Sequence, residues 1–395
     1  MRRALIIGAG IAGPAAAMAL QKAGTESVVY EAHPTSAEGI GTFLTLATNG
    51  VDALRTLGAE KPAVAAGFPT TAIVVWSGTG KRLGAAEVST TLDDGTTGHT
   101  LKRADLYRAI HEQAASRGIH IEHGKRLAAA EVVDGGVRAC FADGSDATGD
   151  ILIGCDGIHS TVRRLIDPNA PAPTYAGLIN LGGFVRGVRV EADPGTYHMI
   201  FGKRAFFGYA VAPDDEVWWF ANVPQPDEPA RGSLASISTD EWRRRLMGLF
   251  ADDAGPAARL VEATTHELPA SPFHTLPHLP TWHTDRIIVI GDAAHAPSPS
   301  SGQGASLSIE DAVQLGMCLR DLPDTERAFA AFERVRRPRA ERIIKQAARI
   351  NSNKAATGAA RVLRDLMAPL FFKLMTNSKQ ARQMYAYHID WGTSA

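Results

Sequence analysis

Ala4-Leu5-Ile6-Ile7-Gly8-Ala9-Gly10-Ile11-Ala12-Gly13-Pro14 is the stretch that decides the fold. Four apolar residues run into a glycine, the glycines stand in G-x-G-x-x-G spacing, and residues 14–23 have the composition of a helix. Residues 28–31 then read as a second strand that closes on Glu31. A short buried strand, a glycine turn, a helix and an acidic strand end make a βαβ unit, which belongs to a parallel sheet with helices on its faces. Gly8 permits the tight turn, Gly10 lets the backbone approach a pyrophosphate, and Gly13 lets the helix lie close to the sheet. Ile11 and Ala12, between the glycines, join the cofactor-binding set ahead of that helix, whose unpaired N–H groups can face phosphates. Glu31, followed by Ala32, is placed to accept hydrogen bonds from ribose hydroxyls. These residues call for a dinucleotide and leave open whether it is NAD or FAD.

Working outward, 395 residues exceed what one core usually serves, so two joined domains are expected. The formal net charge of -1 creates no field that would draw the chain to nucleic acid or anionic lipid. Cys140, Cys155 and Cys318 are odd in number and lack C-x-x-C spacing, which argues against a disulfide framework and a zinc site. Arg2 and Arg3 precede an apolar run that stops at Gly8, too short for a signal peptide, and no stretch reaches the ~20 apolar residues of a membrane span. A cytoplasmic protein, monomeric or weakly dimeric, is expected.

Residues 104–117 carry apolar positions at helical spacing, and residues 119–122, 130–141 and 151–154 read as strands. Between residues 168 and about 280 the texture turns to aromatic-rich alternation, the mark of an antiparallel sheet. Residues 286–290 return to the buried-strand pattern and lead into Gly291-Asp292. Helices are expected after Asp311 through Leu319, over residues 325–349 and over residues 362–384. The resulting division is α/β: a Rossmann-like unit of residues 1–68, 98–170 and 281–330, interleaved with a mainly antiparallel β-sheet unit of residues 69–97 and 171–280. Helices in residues 331–395 would bridge the two.

Two later segments carry a resemblance. The first is Gly154-Cys155-Asp156-Gly157-Ile158-His159-Ser160-Thr161-Val162-Arg163. The second is Gly291-Asp292-Ala293-Ala294-His295-Ala296-Pro297-Ser298-Pro299, running through Gly302-Gln303-Gly304 to Ile309-Glu310-Asp311-Ala312. With the opening glycines they resemble the three ordered motifs of single-component flavoprotein aromatic hydroxylases, the para-hydroxybenzoate hydroxylase family. The length and the loop before Gly304 look most like its short, tetracycline-inactivating and antibiotic-tailoring type.

The resemblance implies tight, non-covalent FAD, NAD(P)H as transient reductant and O2 as co-substrate. In that family oxygen adds at flavin C4a and passes as one atom to an electron-rich substrate. It implies Asp292 on the FAD ribitol or phosphate arm, with Pro299, Gly302, Gln303, Gly304, Ala305 and Ser306 running past the flavin ring. Arg103 resembles the family arginine that clamps the flavin side or pyrophosphate, and Gly41 joins the cofactor-binding set on the same ground. Asp156 and Arg163 resemble residues linked to FAD and NAD(P)H, although Asp156 capping a turn and pairing with Arg163 is an equal alternative. His295 reads as structural. The sequence departs from the pattern where Ala32 and His33 replace the Arg that commonly follows the acid, and where Ser306 replaces Asn.

Candidate substrate residues lie in the second unit. By period two, Phe207 and Tyr209 share one strand face, while Trp218, Phe220 and Asn222 share another with Trp219 opposite. Phe207, Tyr209, Trp219, Asn222, Phe273 and Pro299 are the expected substrate contacts. Tyr209, Asn222 and His198 are the catalytic candidates, because buried polar atoms need partners; plain core packing competes for each aromatic. An aromatic, phenolic or polycyclic substrate follows. Rival readings are a flavin-dependent halogenase or prenyl-chain reductase on the same fold, and a non-catalytic flavin-containing drug-binding protein. Val217-Trp218-Trp219-Phe220 lacks the halogenase Gly-Trp-x-Trp-x-Ile-Pro pattern.

Overall fold

The computed structural model describes residues 2–35, 41–87, 90–298, 301–354 and 384–395. Its centre is a five-stranded parallel sheet in the order Ile287–Val289, Ile151–Gly154, Arg3–Ile7, Glu26–Tyr30 and His120–Glu122. Arg3–Ile7 lies between Glu26–Tyr30 and Ile151–Gly154, so the end of the opening strand is flanked by Tyr30 and Gly154. That register brings the glycine turn, the acidic strand end and the Asp156 turn to one sheet edge, the carboxyl ends of the strands. Helix Ala12–Lys22 covers the sheet, and Gly304–Asp321 packs on it: a Cβ at Gly316 would stand 2.9 Å from that of Ala19. Leu5, Ile6, Met18, Val313 and Leu315 belong to one continuous buried cluster.

A second sheet has seven strands, in the order Ser271–Thr275, Thr174–Val185, Val217–Pro224, Phe206–Val211, Thr196–Phe201, Ala72–Ser77 and Arg82–Glu87. All its pairings are antiparallel except that of Thr196–Phe201 with Ala72–Ser77. A small sheet of Phe43–Leu46, His99–Lys102 and Gly67–Pro69 stands between the two. The hydroxyl of Tyr197, on the seven-stranded sheet, is bonded to Thr45 Oγ1 at 3.0 Å and Thr100 Oγ1 at 3.1 Å, which joins the sheets.

Three expectations need correction. The stretch between residues 168 and 280 is not strand throughout: Thr239–Phe250 and Ala257–Ala263 are helices, and Trp242, Leu246 and Phe250 recur at the spacing of one helix face. The helix expected after Asp311 starts at Gly304, so Ala305 and Ser306 lie in its first turn. The next helix, Thr325–Lys354, continues past residue 349 and tolerates Pro338 within it. The helix expected over residues 362–384 falls almost wholly outside the described residues. Met384 to Ala395 are described, and Ile389 there is buried in the core of the parallel-sheet unit.

Candidate active site

At the turn, Gly8 takes φ +101°, a conformation that L side chains avoid, and a Cβ there would stand 2.5 Å from the Cys155 carbonyl oxygen. A Cβ at Gly13 would lie 2.0 Å from Gly8 O, so helix and turn are in backbone contact. Gly10 differs. It is exposed, its φ is not positive, and nothing lies within 4 Å of where its Cβ would be. The protein's own packing gives no reason for a glycine there, whereas a ligand pressed against the backbone does. Ile11 precedes Ala12–Lys22 without a side-chain cap, which leaves the first-turn N–H groups of Ala12 and Gly13 to the cleft.

Glu31 stands just past its strand. Its Oε2 accepts from Ala9 N–H at 2.8 Å and its Oε1 from His33 N–H at 2.9 Å, so the carboxylate both fixes the turn and keeps lone pairs for another donor. Ala32 is half-buried between these anchors. His111 Nε2–H donates to the Ala9 carbonyl at 2.7 Å, holding the turn from helix Arg103–Ser116.

Asp156 makes the contacts of a turn cap. The carboxylate accepts from the Ser160 hydroxyl and from the N–H groups of Thr161 and Val162. Arg163 forms no hydrogen bond with Asp156. Buried, it donates to the carbonyls of Ala293 at 3.0 Å and Ile158 at 2.7 Å, binding the Asp156 turn to the Gly291 segment.

Asp292 opens onto the cleft and makes no hydrogen bond to any described residue. Protein around the cleft displaces enough water to raise its carboxyl above the ordinary value, against the opposing influence of His295 and Arg103. Arg103 lies on the same side. It is exposed, and its Cδ would stand 3.1 Å from a Cβ on Gly41. Gln303 precedes Gly304–Asp321 without capping it. Its amide is fully buried, with Oε1 accepting from Asn49 Nδ2 at 2.9 Å and Nε2 without a partner among the described residues. Ser306 Oγ accepts from Ala47 N–H at 3.1 Å, so it holds helix Thr48–Thr56 in place. Gly302 and Gly304 border this loop; Pro299 lies outside the described residues.

Behind the loop is an ionic core that the sequence reading missed. Asp311 accepts from Gly291 N–H at 2.9 Å, from His295 Nε2–H at 2.6 Å and from Arg336 Nε–H at 2.7 Å. Burial pushes the Asp311 carboxyl up, but His295 and Arg336 overcome this and hold it at about 2. Arg336 also pairs with Glu310 at 2.7 Å, and Glu310 accepts from Arg339 and Asn49. His295 is therefore structural, clamping the segment that presents Asp292.

The seven-stranded sheet has two unlike faces. Ile179, Leu181, Phe207, Tyr209 and Trp219 pack with Trp242, Leu246 and Phe250 under the two helices. The opposite face meets the cofactor-side strand: a Cβ on Gly182 would lie 2.9 Å from Thr42, and Phe43 is 6.0 Å from Phe220 ring to ring. Four expected residues therefore do not reach the cleft. Phe207 and Trp219 stack at 5.4 Å within the helix-covered core, and Tyr209 stacks on His198 at 4.9 Å. His198 Nδ1 accepts from Trp76 Nε1–H at 3.1 Å, and burial raises Tyr209 to about 12. Side chains alternate along a strand, and these fall on the wrong parity.

Asn222 is on the cleft-facing side, opposite Phe206 on one neighbouring strand and Asn180 on the other. Phe273 is buried on the edge strand, whose continuation at Leu276 bridges to Ala296. Phe220, grouped with Asn222 by period two, shares this face, as do Asn180, Phe206 and Met199, which were not selected from sequence. The Asn180–Asn222 register was the missing signal, since strand Thr174–Val185 had not been resolved within the alternating region.

A profile for the family described as FAD binding domain matches residues 2–347. This chain belongs to that family. The flavoprotein is 26% identical over 351 residues to the aurachin C monooxygenase/isomerase of Stigmatella aurantiaca, covering 88% of each chain. It is 30% identical over 375 residues to a FAD-dependent urate hydroxylase of Mycolicibacterium vanbaalenii, covering 87% of each. Its structure is similar to Klebsiella pneumoniae HpxO complexed with FAD and uric acid, with TM-score 0.84, 26% identity and coverage of 98% of this chain and 96% of that one. The fold is shared also with tetracycline destructase Tet(51), at TM-score 0.69 and 20% identity. The flavoprotein is a member of an enzyme family whose cofactor is FAD, and the open turn at Gly10, the uncapped helix starts and the unpartnered Asp292 fit that group. Among its described residues no helix is long and apolar enough to cross a membrane, and no group of His, Cys, Asp or Glu could hold a metal ion.

Proposed function

We propose that the protein is an FAD-dependent monooxygenase that uses NAD(P)H and O2 to insert one oxygen atom into an aromatic small molecule. The observation that carries this reading is the placement of two surfaces. An open dinucleotide cradle, marked by Gly10 and Asp292, adjoins an aromatic sheet face through Thr42 and Phe43. The named activities of the relatives point the same way.

Bound FAD supplies the redox chemistry and the activation of oxygen. The chain's own residues bind, orient and keep water out. The turn from Gly8 to Gly13 and its helix would hold the pyrophosphate, Glu31 the adenosine ribose, and Asp292 the ribitol or phosphate arm. Arg103 beside Gly41 would clamp the flavin side, and N–H groups from Gly302 to Ser306 would face the polar edge of the ring. Phe43, Phe206 and Phe220 form an apolar wall that lowers the local dielectric around the reacting atoms. The division into residues 1–68, 98–170 and 281–330 for the cofactor, 69–97 and 171–280 for substrate, and 331–395 as a bridge belongs to this proposal, as does a cytoplasmic, monomeric or weakly dimeric protein.

The test is a screen of phenolic and heteroaromatic compounds for those that accelerate NADH or NADPH oxidation, with mass spectrometry for a gain of one oxygen. Substrate-stimulated flavin reduction and an oxygenated product are expected. A flavin that binds these compounds but is never reduced by either nicotinamide would establish the binding-protein alternative instead; a saturated or halogenated product would establish one of the same-fold reactions.

A further inference from the structure

The cleft-facing side of the seven-stranded sheet carries information about the substrate's charge. Strand alternation assigns Asn180, Phe184, Tyr197, Met199, Phe206, Trp218, Phe220 and Asn222 to it, with Gly182, Gly208 and Ala210 between them. No Asp, Glu, Lys, Arg or His stands at a cleft-facing position of these four strands. One end is closed, because Phe184, Tyr197 and Trp218 pack with Phe43 and Phe68. At the other end Asn180, Met199 and Phe220 are only partly buried.

Phe220 lies across Gly208: a Cβ on that glycine would stand 2.5 Å from the Phe220 ring and 3.0 Å from Met199 Sδ. The ring needs a bare backbone beneath it and offers a flat apolar platform. Next to it Asn222 Nδ2 donates to Asn180 Oδ1 at 3.2 Å. The Asn180 Nδ2 hydrogens then have no acceptor among the described residues and remain for a ligand. Reversing both amides would offer a carbonyl instead, and in either orientation the offered group is uncharged.

Two side chains near this wall, among the described residues, already have acidic partners. Lys102 pairs with Glu216 at 3.2 Å beyond the closed end, and His274 pairs with Glu228 at 2.7 Å. Arg103 is near enough to Asp292 to oppose the rise of its carboxyl. A carboxylate substrate pressed against these four strands would lose water without gaining a countercharge from them, which is costly, whereas a ring carbonyl, phenol or ring nitrogen exchanges one hydrogen bond for another.

From this we infer that the substrate is an uncharged, planar aromatic or heteroaromatic molecule with a polar ring edge, stacked on Phe220 and oriented by the Asn180–Asn222 amide pair. The inference rests on the monooxygenase reading and narrows its substrate class.

The test uses the FAD-loaded protein and matched probes: 4-hydroxyquinoline against 4-hydroxyquinoline-2-carboxylate, and 2-naphthol against 6-hydroxy-2-naphthoate. Binding is read from perturbation of the flavin visible spectrum, and turnover from NADH and NADPH oxidation. The neutral member of each pair should bind at least about 10-fold more tightly than its carboxylate. Asn180→Asp should weaken the neutral probes by a similar factor with FAD affinity unchanged, and Asn180→Arg should shift preference toward the carboxylates. Carboxylates that bind as well as the neutral partners, or no binding by either series, would overturn the substrate class while a flavin reducible by nicotinamide leaves the monooxygenase reading intact. Neutral probes that bind selectively to a flavin no nicotinamide reduces would support the recognition chemistry and remove the monooxygenase reading.

Discussion

Replacing Gly10 by alanine separates a residue kept for the fold from one kept for a ligand. Nothing lies within 4 Å of the added methyl, and the backbone there is not in the left-handed region. The apoprotein should therefore fold as before and gain about 0.4–1 kcal/mol, because alanine narrows the unfolded ensemble. If pyrophosphate rests on this backbone, the same methyl intrudes on the ligand. Overpacking of that kind costs about 1–3 kcal/mol, a weakening of roughly 5- to 150-fold in FAD dissociation constant. Gly13→Ala is the contrast: its methyl would lie 2.0 Å from Gly8 O, so the apoprotein itself should lose stability. Thermal melts of both apoproteins and titration with FAD by fluorescence quenching give the two quantities separately. A Gly10→Ala protein that binds FAD within twofold of the parent, or whose apoprotein is destabilised by more than about 1 kcal/mol, would refute the placement of the cofactor on this turn.

Three further outcomes are expected. Asp292→Ala removes an open carboxylate that bonds to no described residue, so stability should hold while FAD affinity falls about 10-fold or more, as loss of a charge-assisted hydrogen bond implies; equal FAD affinity would remove Asp292 from the cofactor site. Gly208→Ala places a methyl 2.5 Å from Phe220 and should raise the dissociation constant of any stacked substrate about 5-fold or more with FAD retained, measured by flavin perturbation. Asp311 is held at about 2 in the folded chain, below its ordinary value, so its stabilisation is complete above about pH 4 and is lost as pH falls toward 2. Acid titration of unfolding should show this group contributing about 2 kcal/mol, and Asp311→Asn should flatten that limb.

The candidate cofactor half of the site was legible because it is local. Gly8, Gly10, Gly13 and Glu31 lie within a short run of chain, and strand, turn and helix geometry convert their spacing directly into position. The cleft-facing sheet was legible only in part. Alternation separates Trp218, Phe220 and Asn222 from Trp219, but no single strand reveals which side is covered by helices. That choice depended on Trp242, Leu246 and Phe250, whose helical spacing was obscured within an aromatic-rich stretch. Phe207, Tyr209 and Trp219 were selected for chemistry and proved to be packing. Arg336 and Asp311 could not be paired from sequence, since their contact depends on how Thr325–Lys354 lies against Gly304–Asp321.

The order of strands in the two large sheets also sets when this protein can begin to exist during synthesis. Arg3–Ile7 must wait for Ile151–Gly154, that strand for Ile287–Val289, and Ala72–Ser77 for Thr196–Phe201. Neither sheet is complete on a nascent chain until most of its length has left the ribosome. Such distant pairings make for slow, late folding and leave unpaired strand edges exposed meanwhile. The topology that brings the glycine turn to the Asp156 turn is thus also the one that delays its own completion.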